Sequence, residues 1–233
     1  MEKDENKMNR EFRNKRAKLQ KYTSWALPAV IIGGWIYPPL GMLLLLCMVG
    51  AIGIAFYNGR AWCDWMCPRG SFYDLVLEKV SRKRKVPAMF KTNWFRSIIL
   101  SLLIAVLGVQ IYFAWGSMHG IGGAFVLVLT ITTTIGIVLG ALYKPRAWCQ
   151  ICPMGTLAYW ISAVNKRPLY VSESCKDCKL CAKVCPMQLK PYEHKGSSMP
   201  DRDCIKCGTC VAECPVNVLS FKAELSGAQH PLQ

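Results

Sequence analysis

Four apolar segments, at roughly 22–39, 40–57, 94–115 and 121–143, dominate the N-terminal part of this 233-residue chain. Each is close to the ~20 residues that cross ~30 Å of hydrocarbon at a rise of 1.5 Å per residue. Lipid offers no partner to backbone N–H and C=O groups, so such segments are expected as helices and not as an open sheet. The first segment is the weakest, being short and interrupted by Pro28 and Gly33-Gly34. Tyr37-Pro38-Pro39 then predicts a tight turn into the second, because proline has no N–H to donate. Trp94 and Trp115 bracket the third, where interfacial aromatics are expected.

Charge sets the expected direction. The chain is 52% hydrophobic yet carries a net charge of +15, so apolar and basic residues must be segregated along it. Eight Lys or Arg lie between Lys3 and Lys21, and Arg60, Arg69, Lys79, Arg82, Lys83, Arg84, Lys85 and Lys91 separate the second and third segments. The connections at Pro38-Pro39 and "GSMHGIGG" carry none. The positive-inside rule then places both termini in the cytoplasm and the spans in the inner membrane, with residues 1–21 as a basic leader. No small-residue cleavage site follows a short apolar core, so no signal peptide is expected. The basic residues flank apolar runs and no nucleic-acid-binding module is recognisable, which favours lipid headgroups over nucleic acid as their partner.

One phrase is written twice: "RAWCDWMCPRG" at 60–70 and "RAWCQICPMG" at 146–155. Two spans precede each copy, and an even number preserves direction, so both copies fall on the cytoplasmic side. Residues 22–90 and 94–168 are expected as parallel repeats about an axis along the membrane normal. Gly70-Ser71 aligns with Gly155-Thr156, each opening an apolar-faced stretch (Phe72, Leu75, Val76 and Val80; Leu157, Trp160, Ile161 and Val164). Ser71 and Thr156 are candidate caps of helices lying either in the interface or against the bundle.

Eight of the 13 cysteines crowd into residues 175–214. "CKDCKLCAKVCP" at 175–186 and "CIKCGTCVAECP" at 204–215 both read C-x2-C-x2-C-x3-C-P, the spacing of bacterial two-cluster ferredoxins. Three cysteines at two-residue gaps wrap a short loop around three irons of a [4Fe-4S] cubane, and the fourth is turned towards the other cluster. Cys175, Cys178, Cys181 and Cys214 are therefore the expected ligands of one cluster, and Cys204, Cys207, Cys210 and Cys185 of the other. Paired Cys-x2-Cys also builds zinc sites, but the doubled run ending in Pro186 and Pro215 favours iron. Thiolate-held iron fits the reducing cytoplasm, in agreement with the charge pattern.

From about residue 22 the chain resembles the NapH/NosR-type membrane polyferredoxins: four spans, a Trp-Cys…Cys-Pro motif after the second and fourth, and a two-cluster ferredoxin tail. The resemblance implies a mainly α fold, with a four-helix membrane domain at 22–168 and an α+β ferredoxin domain at 169–233. It also implies an electron-transfer subunit of a quinol dehydrogenase or reductase complex. Its partners would be the quinone pool and a partner reductase or another iron–sulfur or cytochrome subunit. The family motif is Cys-x3-Cys-Pro, matched by Cys63 and Cys67 at 63–68. Cys149 and Cys152, at 149–153, stand one residue closer.

Three roles are open to these four thiols: a shared metal centre, redox-active dithiols, or structural corners. Four thiolates are the number a cubane needs, and Arg60 and Arg146 would offset its charge. His119, Gln110 and Tyr112, near the outer loop, are candidates to bind menaquinol or ubiquinol. Only His119, His194 and His230 are present, which excludes a bis-histidine b-type haem in the bundle. A metal-handling reductase using the motifs as redox thiols is the rival class, weakened by outer connections whose one methionine is Met118. An ion-translocating subunit would want acidic residues within the spans, and none occur.

Overall fold

Helix α1 runs unbroken from Glu2 to Ile36 in the computed structural model, which describes residues 2–164 and 168–221. The expected basic leader and first apolar segment thus share one helix, with no break at 21/22. A 3-10 turn, Pro38–Met42, opens on the two prolines and leads into α2, Leu43–Asn58. Gly59, at φ 57°, ends α2, a left-handed position that glycine takes without steric cost.

The first Cys-Pro motif follows as a short helix α3, Trp62–Trp65, and then α4, Pro68–Leu77. Helices α5, Asn93–Phe113, and α6, Met118–Leu142, form the second apolar pair. After a 3-10 turn at Trp148–Gln150, the second motif opens α7, Pro153–Ile161.

Among the described residues, three helical stretches are long and apolar enough to cross a membrane: Pro38–Leu77, Asn93–Phe113 and Met118–Leu142. The first of the four expected segments, 22–39, is not among them. It continues a polar helix, and Lys21, Tyr22, Thr23, Ser24 and Pro28 dilute its apolar run.

Helix α6 is the most enclosed of the three, and small residues let its neighbours approach. A Cβ on Gly122 would lie 2.1 Å from the Pro38 carbonyl oxygen, and one on Gly136 2.0 Å from the Tyr73 hydroxyl. Tyr73 is fully buried and donates to the Thr133 carbonyl at 3.1 Å. Small residues at helix contacts are the usual device where lipid gives no hydrophobic drive for association. Outward side chains of α5, such as Leu102, Ile104 and Val109, are apolar and exposed.

The tail module is built on three two-residue strands: β1, Tyr170–Val171; β2, Ser197–Ser198; and β3, Leu219–Ser220. They form an antiparallel sheet in the order β2-β1-β3, with Tyr170 opposite both Ser198 and Ser220. Two short helices, α8 (Leu180–Val184) and α9 (Thr209–Ala212), complete it. The expected boundary at 168/169 adjoins residues 165–167, and these, with 222–233 and His230, lie outside the described residues.

Ser71 and Thr156 do not cap helices. Proline is pre-set for the first helical position and forces an extended residue before it, so α4 and α7 begin at Pro68 and Pro153, with Cys67 and Cys152 extended before them. Ser71 instead accepts from the Thr23 hydroxyl at 2.8 Å. Close packing at Gly122 should make Gly122→Ala destabilising by about 1–3 kcal/mol, because a backbone atom blocks the methyl. Gly53→Ala, with nothing within 4 Å of its Cβ position, should leave thermal unfolding in detergent unchanged or slightly raised.

Candidate metal centres

The loops of the two tail runs curl alike. Asp177 and Lys179 in the first, and Lys206 and Gly208 in the second, take left-handed backbone at matching positions around the second cysteine. Gln188 and Asn217, three residues beyond the fourth cysteine of each run, do the same. Their amides turn back to the carbonyls of Cys185 and Cys214, at 3.2 and 3.3 Å. One duplicated backbone therefore aims two sets of thiols.

Cys175, Cys178, Cys181 and Cys214 line one cavity, and Cys185, Cys204, Cys207 and Cys210 line another. These are the crosswise sets expected from the spacing. Leu189 N–H and the Thr209 hydroxyl each donate to a sulfur, Cys185 and Cys207, at 3.4 Å. Among the described residues no three His, Cys, Asp or Glu gather around a single ion position. The thiols are spread around cavities, as a cluster with iron at its corners requires.

The Cys-Pro thiols converge as well. Cys63, Cys67, Cys149 and Cys152 line a third cavity of about 410 Å³, roofed by apolar side chains of α1 and α2 such as Leu27, Val30, Leu44 and Met48. Thus all twelve candidate cysteines fall into three sets of four. The remaining one, Cys47, lines the wall of this third cavity within α2.

Two arginines knit the motifs together. Arg146, of the second motif, donates to the Cys63 carbonyl of the first at 2.7 Å. Arg60, of the first, donates to the Cys149 carbonyl of the second. Glycine is required where each arginine passes. A Cβ on Gly70 would lie 2.6 Å from the Cys63 oxygen and 3.3 Å from Arg146 Nη1; one on Gly155 would lie 2.9 Å from the Cys149 oxygen and 2.5 Å from Arg60 Nη2.

Both guanidinium groups are buried, and a buried charge is costly unless paired. Arg146 donates to Asp64 at 2.8 Å and to both oxygens of Asp74, at 2.8 and 2.5 Å. Arg16 of α1 grips the same Asp64 at 2.6 and 2.8 Å. Gln20 of α1 adds a donor to the Asp64 carbonyl at 3.1 Å. Two cations thus face two carboxylates.

Arg60 is balanced differently. It shares the single carboxylate of Asp203 with Arg96, whose Nη2 lies 2.7 Å away. One positive charge of this triad is uncompensated, and Arg60 lines the four-thiol cavity. Arg60 Nε and Trp148 Nε1, both lining residues, are buried without a hydrogen-bond partner. Surplus positive charge and orphan donors beside four thiols fit an anionic, thiolate-ligated centre.

Asp64, Asp74, Asp203, Arg16 and Arg96 were not singled out by sequence. The available signal was scarcity: 14 acidic residues stand against 29 basic ones, and Asp203 immediately precedes Cys204. The quinol candidates lie elsewhere. His119 packs edge-on against Tyr37 at 5.8 Å, Tyr112 is exposed, and Gln110 Oε1 is buried without a partner.

The motif corner and the tail module share one core, in which Cys149 packs with Leu169, Val171, Met187 and Ile205. Trp65 Nε1 donates to the Lys206 carbonyl at 3.3 Å, and Lys91 to the Gln188 carbonyl at 3.1 Å. Arg146→Met, which removes the bidentate donor of Asp74 and one of the two cations on buried Asp64, should cost about 3 kcal/mol in chemical unfolding. Lys190→Ala, which breaks only the exposed pair with Glu193, should leave the melting temperature unchanged.

Burial pushes the Cys204 thiol up to about 12 and raises Cys210, Cys185 and Cys181 in the same direction. Without iron these thiols are protonated at neutral pH, so iron must displace protons to bind. Anaerobic reconstitution of the iron-free chain should therefore be more complete at about pH 9 than at about pH 7, read from visible absorption and iron content.

A family described as a 4Fe-4S binding domain matches residues 40–87 and 125–169, one Cys-Pro motif in each, and a 4Fe-4S dicluster domain matches 174–219. The uncharacterized protein MJ0749 of Methanocaldococcus jannaschii is 32% identical over 178 residues, 74% of this chain and 68% of its own length. The putative electron transport protein YccM of Escherichia coli is 24% identical over 219 residues, 82% of this chain and 59% of its own length. The ferredoxin-type protein NapH of the same organism is 23% identical over 195 residues, 74% of this chain and 65% of its own length. The chain spans less than two thirds of these last two. No solved structure matches it.

Proposed function

The chain belongs to the NapH-like family of ferredoxin-type electron-transport proteins, and from that premise we propose that it relays electrons between the quinone pool, or a redox partner, and a partner reductase. It is an iron–sulfur protein that binds [4Fe-4S] clusters. The observation that carries the fuller reading is the grouping of twelve cysteines into three cavities, two in the tail module and one beneath the membrane helices.

Cys175, Cys178, Cys181 and Cys214 hold one cluster; Cys204, Cys207, Cys210 and Cys185 hold the second. Cys63, Cys67, Cys149 and Cys152 hold a third centre shared by the two motifs. When bound, the clusters supply one-electron redox chemistry. The chain supplies thiolates, sulfur-directed donors at Leu189 and Thr209, and the unbalanced cation of Arg60. A single cavity lined by all four motif thiols supports a shared centre over two separate dithiols.

Residues 22–39, the end of α1 with the proline turn after it, form a fourth crossing, giving two parallel pairs of spans, and the tail module lies on the cytoplasmic side. The basic flanks of the apolar stretches support that direction. His119 precedes Thr132, the contact of Arg69 beside the motif, by 13 positions on α6, about 20 Å along the helix axis. A quinone ring at the outer candidates would stand about that far, along the helix axis, from the level of Arg69. The apolar part of the four-thiol cavity offers a nearer site.

Iron counting and electron paramagnetic resonance on the anaerobically purified chain test the third centre. Three cubanes give about 12 irons per chain, and Cys63→Ser with Cys149→Ser should leave about 8. A wild-type count of about 8, unchanged in the double variant, sinks the third centre and leaves the tail clusters standing.

A further inference from the structure

The two thiol-lined sites of the tail module face different surroundings. Asp203, directly before Cys204, is buried between Arg60 and Arg96. Ile205 and Lys206 are buried, and Trp65 reaches the Lys206 carbonyl. The Cys185–Cys204–Cys207–Cys210 site is thereby clamped onto the Cys-Pro corner. At the other site Cys178 is exposed, and so are Lys176, Lys179 and Lys183 around it. Lys176 and Lys179 line the Cys175–Cys178–Cys181–Cys214 cavity itself.

Two acidic neighbours of these lysines are engaged elsewhere. Asp177 is paired with Lys195, and Glu193 with Lys190 at 2.8 Å. Lys179 Nζ stands 6.0 Å over the Tyr192 ring, which orients it without neutralising it. Three exposed lysines therefore stand beside the module site whose Cys178 is exposed.

We propose that these lysines, Lys176, Lys179 and Lys183 around the Cys175–Cys178 loop, form the docking face for an acidic one-electron carrier protein, with the Asp203 side committed to the membrane domain. The proposal deepens the relay reading above and rests on its two tail clusters. An anionic carrier is steered to such a group of lysines, and its affinity and association rate fall with salt. Lipid headgroups are the weaker occupant, because the clamp at Asp203, Lys206 and Gln188 turns the opposite side of the module to the membrane domain.

The test uses the full iron-loaded chain in nanodiscs of zwitterionic lipid, with an acidic plant-type [2Fe–2S] ferredoxin as probe. Iron content is measured first in every variant. Binding by surface plasmon resonance should weaken as salt rises, and the variant K176E/K179E/K183E should bind at least tenfold more weakly at unchanged iron content. The variant K83E/R84E/K85E, with a similar charge change on an exposed loop, should stay within about twofold of wild type, since the effect is local. Equal losses in both variants, no wild-type binding, or a triple lysine variant that loses only affinity for phosphatidylglycerol vesicles would each overturn the docking face. A wild-type chain that binds the probe but holds no iron would overturn the relay reading instead.

Discussion

Two buried guanidinium groups, each reaching across to the other motif's backbone, are the constraint on which the rest depends. Arg60 serves the Cys149 carbonyl and Arg146 serves the Cys63 carbonyl. Neither corner is complete alone, because each takes a donor that only the other copy provides. Desolvating such ions costs several kcal/mol apiece unless partners replace water. The carboxylates of Asp64, Asp74 and Asp203 are those partners. The glycines at 70 and 155 are the steric half of the same arrangement, since any side chain there would push the arginines off their carbonyls.

The exchange also fixes where the thiols point. With the corners locked together, Cys63, Cys67, Cys149 and Cys152 have one cavity to line. Asp203 extends the lock to the tail module, so the residue before Cys204 is held from the ends of two different helices, by Arg60 and Arg96. Arg96 gains further support from the Phe90 carbonyl at 3.2 Å and from the Tyr159 ring, 4.7 Å from its guanidinium carbon. Helices, corner and module are therefore positioned by one connected set of charges. Rigid positioning of this kind suits a relay, whose performance depends on spacing more than on chemistry supplied by side chains.

What the sequence made legible was local or periodic. The grouping of the tail cysteines around two cavities could be read because the run is written twice at one spacing, and the left-handed positions at 177, 179 and 188 recur at 206, 208 and 217. The apolar stretches of α2, α5 and α6 could be read because lipid demands length. The start of the first helix was not legible because its apolar residues lie in a helix that begins at Glu2, and apolar content alone does not show where a helix begins. Ser71 and Thr156 were misread as caps because the proline three residues earlier already sets the helix start. The carboxylates were invisible for another reason: Asp64 and Asp203 meet arginines 82 and 143 positions away, and no periodicity records a contact of that range.

The unequal gaps of the two motifs show where the pairing departs from repetition. Cys63 and Cys67 are separated by three residues, Cys149 and Cys152 by two. Both corners nevertheless close alike, with the amide of Cys67 on the Trp62 carbonyl and that of Cys152 on the Trp148 carbonyl, each at 2.9 Å. The first corner takes up its extra residue as a turn of α-helix where the second has a 3-10 turn. The insertion is put to use: Asp64 neutralises Arg146, and Trp65 holds the Lys206 carbonyl of the tail module. In the shorter gap Gln150 is buried with both side-chain polar atoms unpartnered. The longer gap is thus the side that supplies charge balance and a grip on the module, so an asymmetric partner can be seated on a corner written nearly twice.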